Sequence, residues 1–289
     1  MNTPRVIDAA LLASMPLPTV RDGGKEERGR VLVVGGGLEL AGAVLLAGTA
    51  ALRAGAGKLQ LATATSAVPA LAIAVPEARV FCLPENKDGL PASDAAKVIA
   101  EHLGGCDALL IGPGMMRDSE GLASAVLGLV SDEPVVLDAG AISAVREQDR
   151  ATKAARRIVT PHAGEMAHLL GIDKSQVEAD PLSAAHQAAK RFCVIVVMKG
   201  AESHVVAPDG RAASYAGGGA GLGTSGSGDV LAGVIAGLLA RGAGPFEAAI
   251  WGVWLHGEAG KRLADRIGPL GFLAREIAAE IPRLMASVG

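Results

Sequence analysis

The stretch GLGTSGSGDVLAG, Gly221 to Gly233, runs glycines and hydroxyl residues into a single acid, Asp229, and then into an apolar segment. Spacing excludes two phosphate- and acyl-transfer motifs. No Gly-Lys-Ser/Thr follows the glycines, so this is not a Walker A loop. From Gly223 the pattern G-x-S-x-G breaks at Ser227, so it is not a nucleophile elbow. What remains is a Gly-rich turn entering a helix. Val230, Leu231, Val234, Ile235, Leu238 and Leu239 recur at helical spacing, and Gly233 and Gly237 permit close helix packing. Free N–H groups and the positive dipole end at such a helix start favour an anion such as phosphate. An acid inside an anion site is electrostatically awkward. Two readings of Asp229 stay open: it takes a proton from a hydroxyl attacking a phosphate held by the loop, or it only satisfies the first helical turn.

Other residues of chemical interest are each ambiguous alone. TPHAGEMAHLLG puts His162 and Glu165 at a strand-to-helix turn, where Glu165 favours a helix start and His162 suits either a ligand or plain surface. His162–His168 is not a zinc spacing and no HExxH occurs, so no metal-ligand set is assigned. Lys199, in MKGAESHVV, ends a strand, where it is available to a phosphate or simply solvated. VVGGGLELAG fails the dinucleotide fingerprint GxGxxG, because Leu40 stands where the last glycine belongs. It still offers backbone N–H groups at a strand end, and reads equally as a tight turn.

These residues need a scaffold. Short apolar runs at 31–36, 58–63, 78–83, 108–113, 134–139, 157–161 and 194–200 alternate with Ala-rich, helix-permissive segments. Most are continuously apolar, as strands buried on both faces are, which predicts an α/β fold with a mostly parallel sheet. After Lys199, SHVVAPDGRAASYAG predicts a β-hairpin turning at Asp209–Gly210. The tail, from PFEAAIWGVW to AEIPRLM, predicts helices. No linker divides the chain, so residues 1–289 are expected to form one domain, with 1–30 as an N-terminal extension. In open α/β sheets ligands bind beyond the carboxyl ends of the strands. That directs attention to Gly35–Gly37, Gly112–Gly114, Asp138, Thr160–Glu165 and Lys199–Gly200.

Composition narrows the partners. Half of the 289 residues are hydrophobic and 2% aromatic, so the core is built from closely spaced aliphatic side chains. The formal net charge of −3, with no basic run, argues against nucleic acid and anionic membranes. Cys82, Cys106 and Cys193 are odd in number and widely spaced, which suits buried thiols in a reducing compartment. No run reaches the roughly 20 apolar residues of a spanning helix, and the N-terminus is too acidic for a signal peptide. The expectation is a soluble, cytoplasmic protein acting on a small molecule.

In this order, GAVLLAGTAALRAGAGKLQLAT, LLIGPG, PVVLDAGAI, IVTPHAGEMAHLLG, VVMKGAESHVV, GTSGSGDVLAGVIAGLLARG and WLHGEAGKRLA resemble the ADP/ATP-dependent NAD(P)H-hydrate dehydratase family, a branch of the ribokinase-like superfamily. The resemblance runs from about Val31 to the C-terminal helix. TPHAGE and GSGDVLAG with KG between them are its most specific blocks. It implies a three-layer sandwich with helices on both faces of the sheet and a hairpin in the C-terminal half. It also implies a reaction: a nucleoside phosphate, ADP or ATP, phosphorylates the ring hydroxyl of the S epimer of NAD(P)H hydrate, and loss of phosphate regenerates NAD(P)H. By resemblance, Asp229 is the base, and Gly226, Ser227 and Gly228 form the anion hole. Lys199, Gly200, Ala201, Glu202 and Ser203, with Gly228, hold the AMP part of the nucleotide. Ala43, Gly114 and His162 contact the hydrated dinucleotide. Mg²⁺ accompanies the phosphates, with Glu165 as an outer-shell partner, and a homo-oligomer is expected.

The sequence departs from the family pattern in GGGLELAGA, at Met116 in GPGMM and at Gly140 in LDAGAI, all on the dinucleotide side. With about thirty residues before the first strand, no fused epimerase domain is expected. Two other readings compete. One is a kinase of the same superfamily, phosphorylating a hydroxymethyl or hydroxyethyl heterocycle. The other is a nucleotide-binding protein without turnover.

Overall fold

The computed structural model describes residues 3–19, 24–92, 94–116, 119–145 and 156–288. The strands in chain order are β1 (Arg5–Val6), β2 (Arg30–Val34), β3 (Lys58–Ala64), β4 (Ala78–Leu83), β5 (Ala108–Ile111), β6 (Val135–Leu137), β7 (Arg157–Val159), β8 (Ile195–Met198), β9 (Glu202–Val206) and β10 (Ala212–Ala216). They join one sheet in the order β1-β10-β9-β8-β7-β6-β5-β2-β3-β4. From β8 to β4 every neighbouring pair is parallel. All seven apolar runs of the sequence lie in this parallel part. The hairpin is also as expected: β9 and β10 pair antiparallel around a turn holding Asp209 and Gly210.

Consecutive residues of the central strands serve opposite cores. Val31, Val33, Leu110, Val136, Ile158 and Val197 belong to one cluster. Leu32, Val34, Leu109, Ile111, Val135, Leu137, Val159 and Val196 belong to the other. This two-sided burial is why the runs read as continuous rather than alternating. One face is covered by α2 (Ala41–Arg53), α9 (Ser227–Ala240), α10 (Pro245–Arg266) and α11 (Ala274–Met285). The other is covered by α4 (Ala95–Leu103), α5 (Glu120–Leu129), α6 (Ala163–Leu170) and α8 (Pro181–Phe192).

The N-terminal segment is more than an extension. β1 pairs parallel to β10. Ile7, Leu11 and Leu12 then join the first core, and the indole N–H of Trp251 donates to the Met15 carbonyl at 2.7 Å. A two-residue strand carries no periodicity, so the sequence could not announce it.

Helix α9 lies deepest, with 12 of its 14 residues buried. A helix apolar all round belongs in an interior. It can sit there because α2 approaches its backbone directly: a Cβ added at Gly233 would overlap the Ala47 carbonyl oxygen, and one at Gly237 the Ala51 carbonyl oxygen. Alanine is the better helix former by about 1 kcal/mol, but overpacking a rigid helix pair costs about 1–3 kcal/mol. Gly233→Ala is therefore expected to lower the denaturation midpoint. Gly128→Ala, on the exposed side of α5 with nothing within 4 Å, is expected to raise it. Equal midpoints for the two variants would contradict the packing account.

Candidate active site

The parallel strand order reverses between β2 and β5, because the chain leaves β2 for β3 and β4 and returns beside it as β5. Crevices at such switch points bind ligands. Here the strand ends close on each other, with the Gly36 N–H donating to the Pro113 carbonyl at 2.7 Å. Beyond them opens a cleft of about 1290 Å³. Its switch-point end is lined by Leu40, Ala43, Gly114, Met115 and His162, and its far end by residues 199–201 and 203, the end of β10 and residues 219–220 and 222–228. Asp138, Lys199 and Asp229 line the cleft with them.

The residues expected at the site from the sequence line this cleft except Glu202 and Glu165, and Glu165 lines a smaller neighbouring hollow. Glu202 begins β9 with its side chain exposed, whereas Lys199, Gly200, Ala201 and Ser203 line the cleft.

Gly226 is the N-cap of α9, with φ +86°, a left-handed conformation that glycine adopts without penalty. No side chain caps the helix. The Gly226 and Gly228 N–H groups have no acceptor among the described residues, whereas the Ser227 N–H donates to the Thr224 carbonyl at 3.2 Å. Two backbone donors are thus free for an anion, not three. Asp229 sits in the first turn. Burial pushes its carboxyl up to about 7, the charge of Asp138 adds to the rise, and Lys199 opposes it. A carboxylate poised near neutral pH is suited to accepting a proton.

Lys199 Nζ lies 3.1 Å from Asp138 Oδ1 and 3.6 Å from Glu165 Oε2. It also lies beneath the anion loop, 3.3 Å from where a Gly228 Cβ would be. Burial opposes its charge, but Asp138, Glu165 and Asp229 outweigh that and hold it protonated, above the ordinary lysine range. Asp138 is itself buried and accepts from Thr160 Oγ1 at 2.6 Å. Asp138 was only a strand-end acid in the sequence. Its pairing with Lys199, 61 residues away in the chain, appears only in three dimensions.

His162 and Glu165 form a capping box at the start of α6. His162 Nδ1 accepts from the Gly164 and Glu165 N–H groups at 3.0 and 3.2 Å, and Glu165 Oε2 accepts from the His162 N–H at 2.8 Å. With Nδ1 an acceptor, the neutral ring carries its hydrogen on Nε2, which lies 3.6 Å from Glu165 Oε1 at the cleft wall. Glu165 therefore does favour the helix start, and meets Lys199 as well. The two departures at Met116 and Gly140 are neighbours: the Gly140 N–H donates to the Met115 carbonyl at 3.2 Å. Both border a smaller hollow of about 310 Å³ that shares Met115, Ala139 and His162 with the cleft.

Among the described residues no cluster of three His, Cys, Asp or Glu side chains could hold a metal by itself. No described helix is long and apolar enough to cross a membrane.

Known proteins share this architecture. A family model described as NAD(P)H-hydrate dehydratase matches residues 31–283. The ADP-dependent (S)-NAD(P)H-hydrate dehydratase of Xanthomonas campestris pv. campestris is 50% identical over 99% of this chain and 98% of its own length. A bifunctional NAD(P)H-hydrate repair enzyme from Moorella thermoacetica is 36% identical, and the chain spans 54% of that protein. The Bacillus subtilis ADP/ATP-dependent NAD(P)H-hydrate dehydratase, co-crystallized with ATP and Mg²⁺, superposes over the full length of both chains with a TM-score of 0.84 at 26% identity. With a ribokinase-like α/β fold and matches along nearly its whole length, the chain belongs to the NAD(P)H-hydrate dehydratase family.

Proposed function

We propose that this chain is an ADP-dependent (S)-NAD(P)H-hydrate dehydratase that restores hydrated NADH or NADPH to the reduced cofactor. The observation that carries the reading is Asp229: a carboxyl poised near pH 7, one residue from the free N–H of Gly228, inside a large two-ended cleft. Single-ligand pockets hold roughly 300–1,000 Å³, and about 1290 Å³ leaves room for a nucleotide and a dinucleotide together. The Xanthomonas relative supports ADP as the phosphoryl donor.

The chemistry then follows the residues. Asp229 takes the proton of the ring hydroxyl as its oxygen attacks the β-phosphorus of ADP, whose bond to the bridging oxygen breaks and releases AMP. The N–H groups of Gly226 and Gly228 meet the charge on the phosphoryl oxygens, and the Lys199 ammonium lies beneath them. The phosphorylated carbon then loses phosphate, and the neighbouring ring carbon loses a proton, so the double bond returns. The nucleotide lies along Lys199–Ser203, with Glu202 contributing main chain only. The dinucleotide lies against Ala43 and Gly114, with His162 Nε2–H as a donor to it.

Mg²⁺ fits this site as an ion carried on the nucleotide phosphates. Such ions keep several waters and use one or two carboxylates. Asp138 and Glu165 are the carboxylates at hand, and both already face Lys199. They would hold the ion through water, and it would offset phosphate charge. The cytoplasm is the proposed compartment, in keeping with three free cysteines.

Four measurements test the proposal. Hydrated NADH with ADP and Mg²⁺ is expected to release free phosphate and regain reduced-nicotinamide absorbance. A stable phosphoester would instead identify a kinase, and nucleotide binding without either product a non-catalytic protein. Asp229→Asn is expected to bind ADP normally and lose turnover, and near-wild-type turnover would remove Asp229 from the mechanism. The same variant should melt higher than wild type at pH 8. The folded carboxyl, at about 7, lies above its unfolded value of 3.8. Its contribution to stability is therefore full below the unfolded value and lost as pH rises through about 7. Finally, kcat/KM reports the free enzyme. It should fall about tenfold per unit as pH drops below about 7, where Asp229 is protonated. A profile flat down to pH 5 would exclude it as the base.

A further inference from the structure

Ser227, on the first turn of α9, and His256, on α10, meet at the cleft wall. His256 Nε2 lies 2.9 Å from Ser227 Oγ and 3.1 Å from the Ser227 carbonyl oxygen. A carbonyl oxygen only accepts, so the ring nitrogen facing it must carry a hydrogen. An unprotonated Nε2 would set two lone pairs against each other. Burial keeps the ring neutral at pH 7, pushing its pKa down to about 4, and the charge of Lys199 acts in the same direction. His256 is thus a neutral Nε2–H donor shared between the two oxygens of Ser227.

That assignment decides what Ser227 can do. Its N–H is engaged with the Thr224 carbonyl. Its Oγ accepts from His256, and its own O–H has no other partner among the described residues. The residue is 5% exposed and lines the cleft. We infer that Ser227 serves the anion hole through its hydroxyl, and that His256 is the positioning residue that turns this hydroxyl toward the transferred phosphoryl group. The inference rests on the phosphoryl-transfer reading of the site. His256 touches no reacting atom. The hole then has three donors: the N–H groups of Gly226 and Gly228 and the O–H of Ser227.

The test uses the full chain as wild type, Ser227→Ala, His256→Leu, His256→Gln and the Ser227→Ala/His256→Leu double variant. Removing one oxyanion donor costs about 10²–10³-fold in turnover. Ser227→Ala and His256→Leu are each expected to lower kcat by about 10²-fold, with the KM for ADP within about threefold of wild type. The double variant should be no worse than either single one, because both remove the same interaction. His256→Gln, whose amide N–H can reach the position of Nε2, should recover most of the rate. Unchanged kcat in His256→Leu, or losses that multiply in the double variant, would overturn the inference while leaving the dehydratase reading intact. If wild type releases no phosphate, that reading fails instead. Long-range ¹H–¹⁵N spectra of the histidine rings then decide without turnover: a neutral Nε2–H tautomer for His256 at pH 7 supports the pairing, and an Nδ1–H tautomer refutes it.

Discussion

Helix α9 is held inside the protein on every side, and its first turn is the floor of the cleft. Its axis is set by backbone-to-backbone contact with α2 along Gly233 and Gly237. A helix so placed cannot slide without opening a void or forcing an overlap, since packed interiors leave neither to spare. The free N–H groups of Gly226 and Gly228 therefore arrive at the cleft in one position. Asp229 is carried in with them. The same α2 starts just beyond the β2 strand end and supplies Ala43 to the opposite wall. One helix pair thus sets the distance between the two ends of the site.

Electrostatics in the cleft follow from burial and from one ion pair. Asp138 and Lys199 neutralise each other 3.1 Å apart, with Thr160 completing the carboxylate. Removing either partner would strand the other charge in a poorly solvated site, which is costly. Among the described residues Asp229 has no such ion partner at hydrogen-bonding distance. It feels Asp138 as a like charge and Lys199 as a weaker opposing one, and burial decides the balance. Three neighbouring acids therefore take different roles. Asp138 is a fixed counter-ion, Glu165 a helix cap that also faces Lys199, and Asp229 a carboxyl poised to exchange a proton.

Several site features were legible before the structure. The Gly-rich run into an apolar segment announced a glycine turn at a buried helix start, and the seven apolar runs announced a parallel sheet, because two-sided burial leaves an unbroken hydrophobic pattern. Gly114, His162 and Lys199 stood out at strand ends before the family pattern gave them roles, and Ala43 came from the family pattern alone. Other features left no trace. His256 reads as one histidine in a helical stretch, and its partner lies 29 residues away on another helix. Glu202 follows Lys199 closely in sequence, yet it is exposed at the start of β9. Met116 and Gly140 read as two separate departures, whereas the chain brings their segments into backbone contact.

The sequence alone determined the class of fold and the kind of chemistry. Hydrophobic periodicity and turn residues are local properties, and so is a glycine loop that can expose N–H groups at a helix start. Only the tertiary structure decided which of those groups act. The proton affinity of Asp229, the tautomers of His162 and His256 and the pairing of Lys199 all depend on which charges and lone pairs come within a few ångströms. Those neighbours come from strands and helices far apart in the chain. Desolvation and hydrogen bonding depend on distance in space, and a one-dimensional pattern does not record it.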